Sequence, residues 1–126
     1  MVNYKDSSYF VFRVLVGLLF LQHGAQKLFG ILGGTKVQLL SLFGLAGAIE
    51  FFGGLLIAFG LVTRIAALLG VADMIGAWLI VHISQGWIPI LNKGELPLLF
   101  LACFLVLIAY GSRKWSLDKL FFRVKE

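Results

Sequence analysis

The run Gly44 to Leu61, GLAGAIEFFGGLLIAFGL, spans 18 residues and carries a single charge, Glu50. Lipid offers no partner for a bare backbone amide, so a stretch this apolar satisfies its own hydrogen bonds as a helix long enough to cross a bilayer. The rest of the chain follows suit. Apolar residues make up 60% of its 126 positions, against about 45 to 50% in soluble domains. The predicted fold is all-α: a polytopic membrane protein with an antiparallel four-transmembrane-helix bundle and a short C-terminal amphipathic helix. Residues 1–126 read as one membrane domain, with spans at about 9–29, 39–62, 64–83 and 95–110.

Local signals set the boundaries. The first apolar run continues for about twenty residues without a small-residue cleavage site, so it is expected to remain as a helix rather than to be removed as a signal peptide. Ser7 or Ser8 is its expected N-cap. Gly60 fits the C-cap of the second span and Thr63 the N-cap of the third, which makes a tight antiparallel hairpin. Pro97 suits the first turn of the fourth span, where a missing amide hydrogen costs nothing. Beyond Gly111, Ser116 can cap a short helix with Leu117, Leu120, Phe121 and Val124 on one face and Lys119 and Arg123 on another, predicted to lie along a membrane surface.

Charge and cysteine usage narrow the function. The net charge of +5 is concentrated at the ends and in loops, as topology signals are, and no aromatic and basic residues interleave as a nucleic-acid surface requires. Eight Lys and Arg (5, 13, 64, 113, 114, 119, 123 and 125) lie on the side of the termini and three (27, 36 and 93) in the opposite loops. Positive-inside logic then places both termini in the cytoplasm of a prokaryotic inner membrane. Cys103 stands alone, which excludes an internal disulfide and a CxxC relay.

An acid at mid-helix costs about 3 kcal/mol on insertion scales, so Glu50 is expected to be protonated, paired or beside water. Phe43, Gly47, Glu50, Gly54, Ile57 and Leu61 share one stripe, so the acid faces a close neighbour rather than lipid. In the first span Arg13, Gly17, Phe20, Gly24 and Lys27 form a matching stripe flanked by His23. Glu50 is predicted to face it in a polar cluster with His23 at the outer mouth. In the third span Ala66, Gly70, Asp73 and Ala77 form a small-residue face expected to pack on Gly47 and Gly54, with Asp73 level with Glu50. The two acids would share a proton or a cation; alternatively Asp73 bonds to backbone or water. His82 is about 180° around the same helix from Asp73, so an unbroken helix turns only one of them inward.

These residues carry a resemblance. Arg13, Gly17, the HGxxKLFG run from His23 to Gly30, the GxxExxGGxxxxxGxxTRxAA run from Gly47 to Ala67, His82, the GEL run at Gly94 and SLD at Ser116 to Asp118 together resemble the DoxX family of small four-helix membrane proteins. Ser112-Arg113 stands where the family has a glycine-containing pair, and Asp73 lies outside its pattern. The family is generally described as quinone-linked oxidoreductase subunits, so the resemblance implies an oxidoreductase, or a subunit of one, that handles a quinone or a small redox-active molecule.

On that reading Glu50 is the intramembrane proton-exchanging acid, with His23 and Lys27 as further catalytic residues and Arg13, Asp73, His82 and Glu95 as substrate-binding residues. A path from His23, Lys27, Glu95 and His82 down to Glu50 suits proton exchange with a hydroquinone entering from the bilayer. His23, Glu50, His82 and Glu95 are metal-ligating types, but they come from four segments without short ligand spacing, and no metal is predicted. Dinucleotide, haem and iron–sulfur signatures are absent from the sequence, so if electrons move, a quinone, the substrate or a partner subunit carries them; of these, the resemblance implies quinone as the candidate cofactor. The expected partners are the lipid bilayer, a quinone or similar amphipathic molecule, and partner subunits or further copies of the chain. The alternative is a non-catalytic membrane subunit or small-molecule carrier in which the polar cluster is structural.

Overall fold

The structure is a computed structural model and describes residues 3–122. Its elements are α1 (Tyr4–Phe29), α2 (Leu42–Phe59), α3 (Thr63–Ala77), α4 (Pro89–Asn92), α5 (Glu95–Tyr110) and α6 (Leu117–Phe122). After Ala77 the α3 helix runs on through a π-helical turn, Trp78–His82, and a 3-10 turn, Ile83–Gln85. All regular structure among the described residues is helical. Among the described residues three helices, Tyr4–Phe29, Leu42–Phe59 and Thr63–Gln85, are long and apolar enough to cross a membrane. The fourth predicted span, α5, is apolar but has only 16 residues, which at 1.5 Å rise each is about 24 Å. Leu15, Leu18, Leu68 and Phe52 stand about half exposed along the long helices, and a surface this apolar belongs in lipid. The chain is a membrane protein.

α1 begins earlier than predicted. Asn3, not Ser7 or Ser8, is its N-cap, and its side chain accepts from the Lys5 amide at 2.9 Å. The polar residues Lys5, Asp6, Ser7 and Ser8 fit the first turns because helix geometry there needs no apolar face once the cap is made. At the α2–α3 turn, Gly60 is the predicted C-cap, in the left-handed conformation at φ 70°. Thr63 is the first residue of α3 rather than its cap, and Val62 before it takes φ 44°.

α1 and α2 run antiparallel with their backbones in contact through paired glycines. Gly17 faces Gly54 and Gly24 faces Gly47, so both helices repeat the small residue every seven positions in register. A Cβ on Gly17 would sit 2.5 Å from the Ala58 nitrogen, and one on Gly54 2.5 Å from the Leu21 nitrogen. The predicted packing of Gly47 and Gly54 on α3 is therefore corrected. Gly70 of α3 meets the Phe104 ring of α5 instead, where a Cβ would come within 2.7 Å. The reason is register: α1 offers two glycines at the spacing of the α2 pair, whereas α3 offers one and needs a large partner to fill the space. The core where these helices meet includes Phe20, Ile57, Phe100, Phe104 and Leu107. Its aromatic centre is edge-packed, with the Phe20 and Phe104 centroids 4.7 Å apart.

The end of the molecule that holds the α2–α3 turn is latched by polar side chains. Arg13 is 1% exposed and gives all its donors to carbonyls: Nε to Ile57 at 3.1 Å, Nη1 to Ser112 at 2.6 Å and Lys114 at 3.3 Å, Nη2 to Ala58 at 3.4 Å and Trp115 at 2.9 Å. Asp118 accepts from the Val62 amide at 2.9 Å and from the Ser112 hydroxyl, which also bonds the Thr63 hydroxyl at 2.8 Å. Asp6 pairs with Lys114 at 3.1 Å. Ser116 caps α6 as predicted, accepting from the Lys119 amide at 3.2 Å. The C-terminal segment is thus folded back onto the α2–α3 turn, while Leu120, Phe121 and Phe122 stay exposed. Arg123, Val124 and Lys125 lie outside the described residues.

Candidate functional site

At the opposite end the helices enclose a cavity of about 510 Å³, within the range of about 300 to 1,000 Å³ usual for small-molecule sites. Its walls are apolar, with Phe20 from α1, Leu45 from α2, Met74 from α3 and Leu96, Pro97 and Phe100 from α5. Six ionisable side chains reach it: His23, Lys27, Glu50, Asp73, His82 and Lys93.

Glu50, 3% exposed, is held by the Lys27 ammonium, which donates to Oε1 at 2.7 Å and Oε2 at 2.8 Å. The glycine register makes this pair possible. With Gly24 against Gly47, the Lys27 Cβ lies so close to α2 that a Cβ on Gly47 would come within 2.9 Å of it. The lysine stem then runs along α2 towards mid-helix, and the carboxylate that would otherwise be stranded in lipid gains a charged partner. Asp73 shares the cavity, and its Oδ2 is buried without a hydrogen-bond partner. Buried carboxylate oxygens are rarely left so, and the orphan marks a place for a donor.

His82 and Asp73 line the same cavity, which an undistorted helix forbids. The π-helical turn at Trp78–His82 resolves the conflict: the Ile83 amide bonds back to the Trp78 carbonyl, and the wider turn brings His82 round to the side of Asp73. His82 Nδ1 lies 3.0 Å from the Asn92 carbonyl. A carbonyl only accepts, so Nδ1 carries the proton and Nε2 is the basic nitrogen of the neutral ring. His23 lies edge-on to Phe100, with ring centroids 6.0 Å apart.

Two expected site residues are elsewhere. Arg13 sits in the latch at the other end of the stripe, because carbonyls of the α2 C-terminus and the C-terminal segment consume its donors before it can turn towards Glu50. Glu95 is exposed at the start of α5 and lies outside the cavity lining, since the turn before it points the next residues, Leu96 and Pro97, inward. Two residues were missed. Asn92 is fully buried; its amide donates to the Gly86 carbonyl and its Oδ1 accepts from the Gly94 amide, both at 2.8 Å, which fixes the loop that holds His82. Lys93, at φ 60°, reaches the cavity from the same turn. The Asn-Lys-Gly sequence signalled that turn but not its burial. Among the described residues no group of three His, Cys, Asp or Glu side chains is placed to hold a metal ion.

The model of the DoxX family matches residues 8–83, which include most of α1, all of α2 and the cavity face of α3. The chain belongs to the DoxX family. Among DoxX-like relatives, the chain is 34% identical over 121 residues to the Bacillus subtilis protein named "Putative oxidoreductase CatD", covering 90% of this chain and 87% of that one. It is 33% identical over 118 residues to an uncharacterized protein of Haemophilus influenzae, covering 88% of each. It is 29% identical over 125 residues to an uncharacterized membrane protein of Mycobacterium tuberculosis, covering 85% of this chain and 77% of that one. No solved structure matches it.

Proposed function

We propose that this DoxX protein is a membrane-embedded oxidoreductase, or a subunit of one, that binds a quinone or a similar small redox-active amphiphile and exchanges its proton through Glu50. The observation that carries the reading is an ion pair of the buried Glu50 with the half-buried Lys27, facing an apolar cavity in which Asp73 Oδ2 has no partner. The kinship with a protein named as an oxidoreductase supports the reaction class. The reduced, hydroquinone form fits the site, because one hydroxyl can donate to Asp73 Oδ2 and the other oxygen can accept from Lys27, while the ring faces meet Phe20, Met74 and Phe100. When bound, the quinone supplies the two-electron chemistry, and a partner of redox character takes or gives the electrons.

The chain's own residues do the rest. Lys27 holds the Glu50 carboxyl in place between turnovers; Glu50 exchanges a proton at an Oε atom as the Lys27 contact loosens, and His23 and His82 pass it towards the mouth beside Lys93. Phe20 and Phe100 keep bulk water from the acid. The expected result is that protein purified in mild detergent carries quinone detectable by ultraviolet absorbance and mass spectrometry, or takes it up on addition. Protein that neither carries nor binds any quinone would sink the proposal.

Residues 1–126 are read as one domain whose four long helices, α5 included, cross a prokaryotic inner membrane with both termini in the cytoplasm, supported by the eight-to-three basic asymmetry. In a Cys103→Ala background, Lys93→Cys should react with a membrane-impermeant maleimide from outside intact cells. Reaction only after the cytoplasmic face is opened would reverse the topology.

A second reading has its own observation. The Lys27–Glu50 pair is closed and bidentate, as it would be in a carrier or non-catalytic subunit where the pair clasps α1 to α2.

A further inference from the structure

The cavity is open on one side. Leu42 and Leu45 of α2 and Ile80 of α3 line it, yet they are 60%, 57% and 53% exposed. Side chains that belong both to a cavity wall and to the outer surface mark its rim. Between them the facing positions are small: Ala46 on α2, and Ala72 and Gly76 one turn apart on α3. A Cβ built on Gly76 would meet nothing within 4 Å. This glycine, unlike the packed Gly17, Gly54 and Gly70, borders open space.

The gap follows from how the helices are tied. Gly47 and Gly54 of α2 are spent on α1 and Gly70 of α3 on Phe104, so at this level no interlocking glycine pair draws α2 and α3 together, although the Gly60–Val62 turn joins them at the other end. Apolar side chains flank the gap, so in the membrane it faces acyl chains rather than water. The ionisable approach, by contrast, is marked by Lys93 and His82 at the loop end.

We propose that the α2–α3 gap is a lateral portal, that its occupant is an uncharged ring with a hydrogen-bonding oxygen and an apolar tail, and that Gly76 sets its width. The ring lies inside with a hydroxyl donating to the unpartnered Asp73 Oδ2, and the tail leaves between Leu45 and Ile80 into lipid. A charged, water-borne ligand is rejected at this gap by the cost of desolvation. The inference rests on the site reading above and adds the route and the class of molecule that can use it.

The test uses the full chain in lipid nanodiscs, with binding of two benzoquinones that share one head group, both kept in the reduced hydroquinone form, measured by mass spectrometry after rapid separation. One carries a decyl tail and the other none. Gly76→Leu narrows the gap, Ala72→Leu does so from one turn away, and Gly76→Ala is the control. Filling the gap should weaken binding of the tailed quinone by about tenfold, or about 1.4 kcal/mol, because the leucine takes the space its tail needs, and change the tail-less one by less than about twofold. Thermal unfolding midpoints near that of the wild type show that the variants fold, and Ala72→Leu decides if Gly76→Leu does not. If wild-type protein binds both quinones and the leucine variants bind both as well as it does, or lose both equally, the portal is overturned while the site stands. If the wild type binds neither, the site reading falls and the portal with it.

Discussion

Glu50→Ala should cost the protein about 3 kcal/mol of stability and most of its accumulation in the membrane, whereas Glu50→Gln should leave a folded protein that no longer supports quinone-dependent turnover. Removing one member of a buried pair strands the other charge, at a typical cost of about 3 to 5 kcal/mol. The Lys27 side chain is 29% exposed and can carry its ammonium towards the mouth, which places the loss near the lower end of that range. Glutamine keeps the shape and one acceptor for Lys27, so the pair becomes a neutral-to-charged hydrogen bond rather than an orphan. It cannot exchange a proton. The double variant Lys27→Met, Glu50→Gln removes both charges and should recover the stability that Glu50→Ala loses. Thermal unfolding in detergent separates the readings. If Glu50→Gln and Glu50→Ala are destabilised alike, the carboxylate is a structural clasp and the proton-exchange role is lost.

The inward direction of Glu50 was legible because glycines at 47 and 54 mark its face and an acid in lipid must find protein. Its partner was legible only as a choice along the first-helix stripe. Depth placed Lys27 nearer the outer edge, and what brought it to Glu50 is the reach of a lysine stem lying on Gly47, a distance that helical spacing does not encode. The match of Gly17 with Gly54 and Gly24 with Gly47 sits in the sequence as two equal spacings. Choosing α1 over α3 as the partner of α2 required comparing those spacings rather than noting small residues on every helix.

His82 was out of reach for a different reason. A wheel assumes 100° per residue, and the π-helical turn after Ala77 breaks that assumption where the cavity needs both Asp73 and His82. No residue type encodes such a turn unambiguously. Asn92 was hidden because a turn asparagine is ordinarily solvated; here the Gly86 carbonyl and the Gly94 amide take up its side chain. Arg13 read as a substrate-binding residue because it shares the first-helix stripe with Lys27. Its partners are backbone carbonyls, which carry no sequence signature.

Arg13→Lys should free the C-terminal segment while leaving the cavity intact. The guanidinium fork touches five carbonyls from three places in the chain, Ile57 and Ala58 at the end of α2, Ser112, and the Lys114–Trp115 turn. Two of these lie at a helix C-terminus, where positive charge is favoured. Arg113 and Trp115 both hold left-handed backbone, φ 56° and 55°, which non-glycine residues adopt only when surrounding contacts over-determine it. Lysine offers one compact donor head in place of the planar fork and cannot span the three places at once. Losing several hydrogen bonds to a charged group, each worth about 1.5 to 3 kcal/mol, should favour release of the segment by about 3 kcal/mol once water replaces some of them. Trypsin cuts after Arg113 and Lys114, and cleavage follows the open population when reclosing is fast, so the nick there should appear about a hundredfold faster than in the wild type. Quinone binding should stay within about twofold, because Arg13 is at the far end of α1 from Lys27. Unchanged cleavage would mean that the remaining contacts, those of Asp118 with Val62 and Ser112 and of Asp6 with Lys114, hold the segment without Arg13; a matching fall in quinone binding would mean that the latch and the cavity are one cooperative unit.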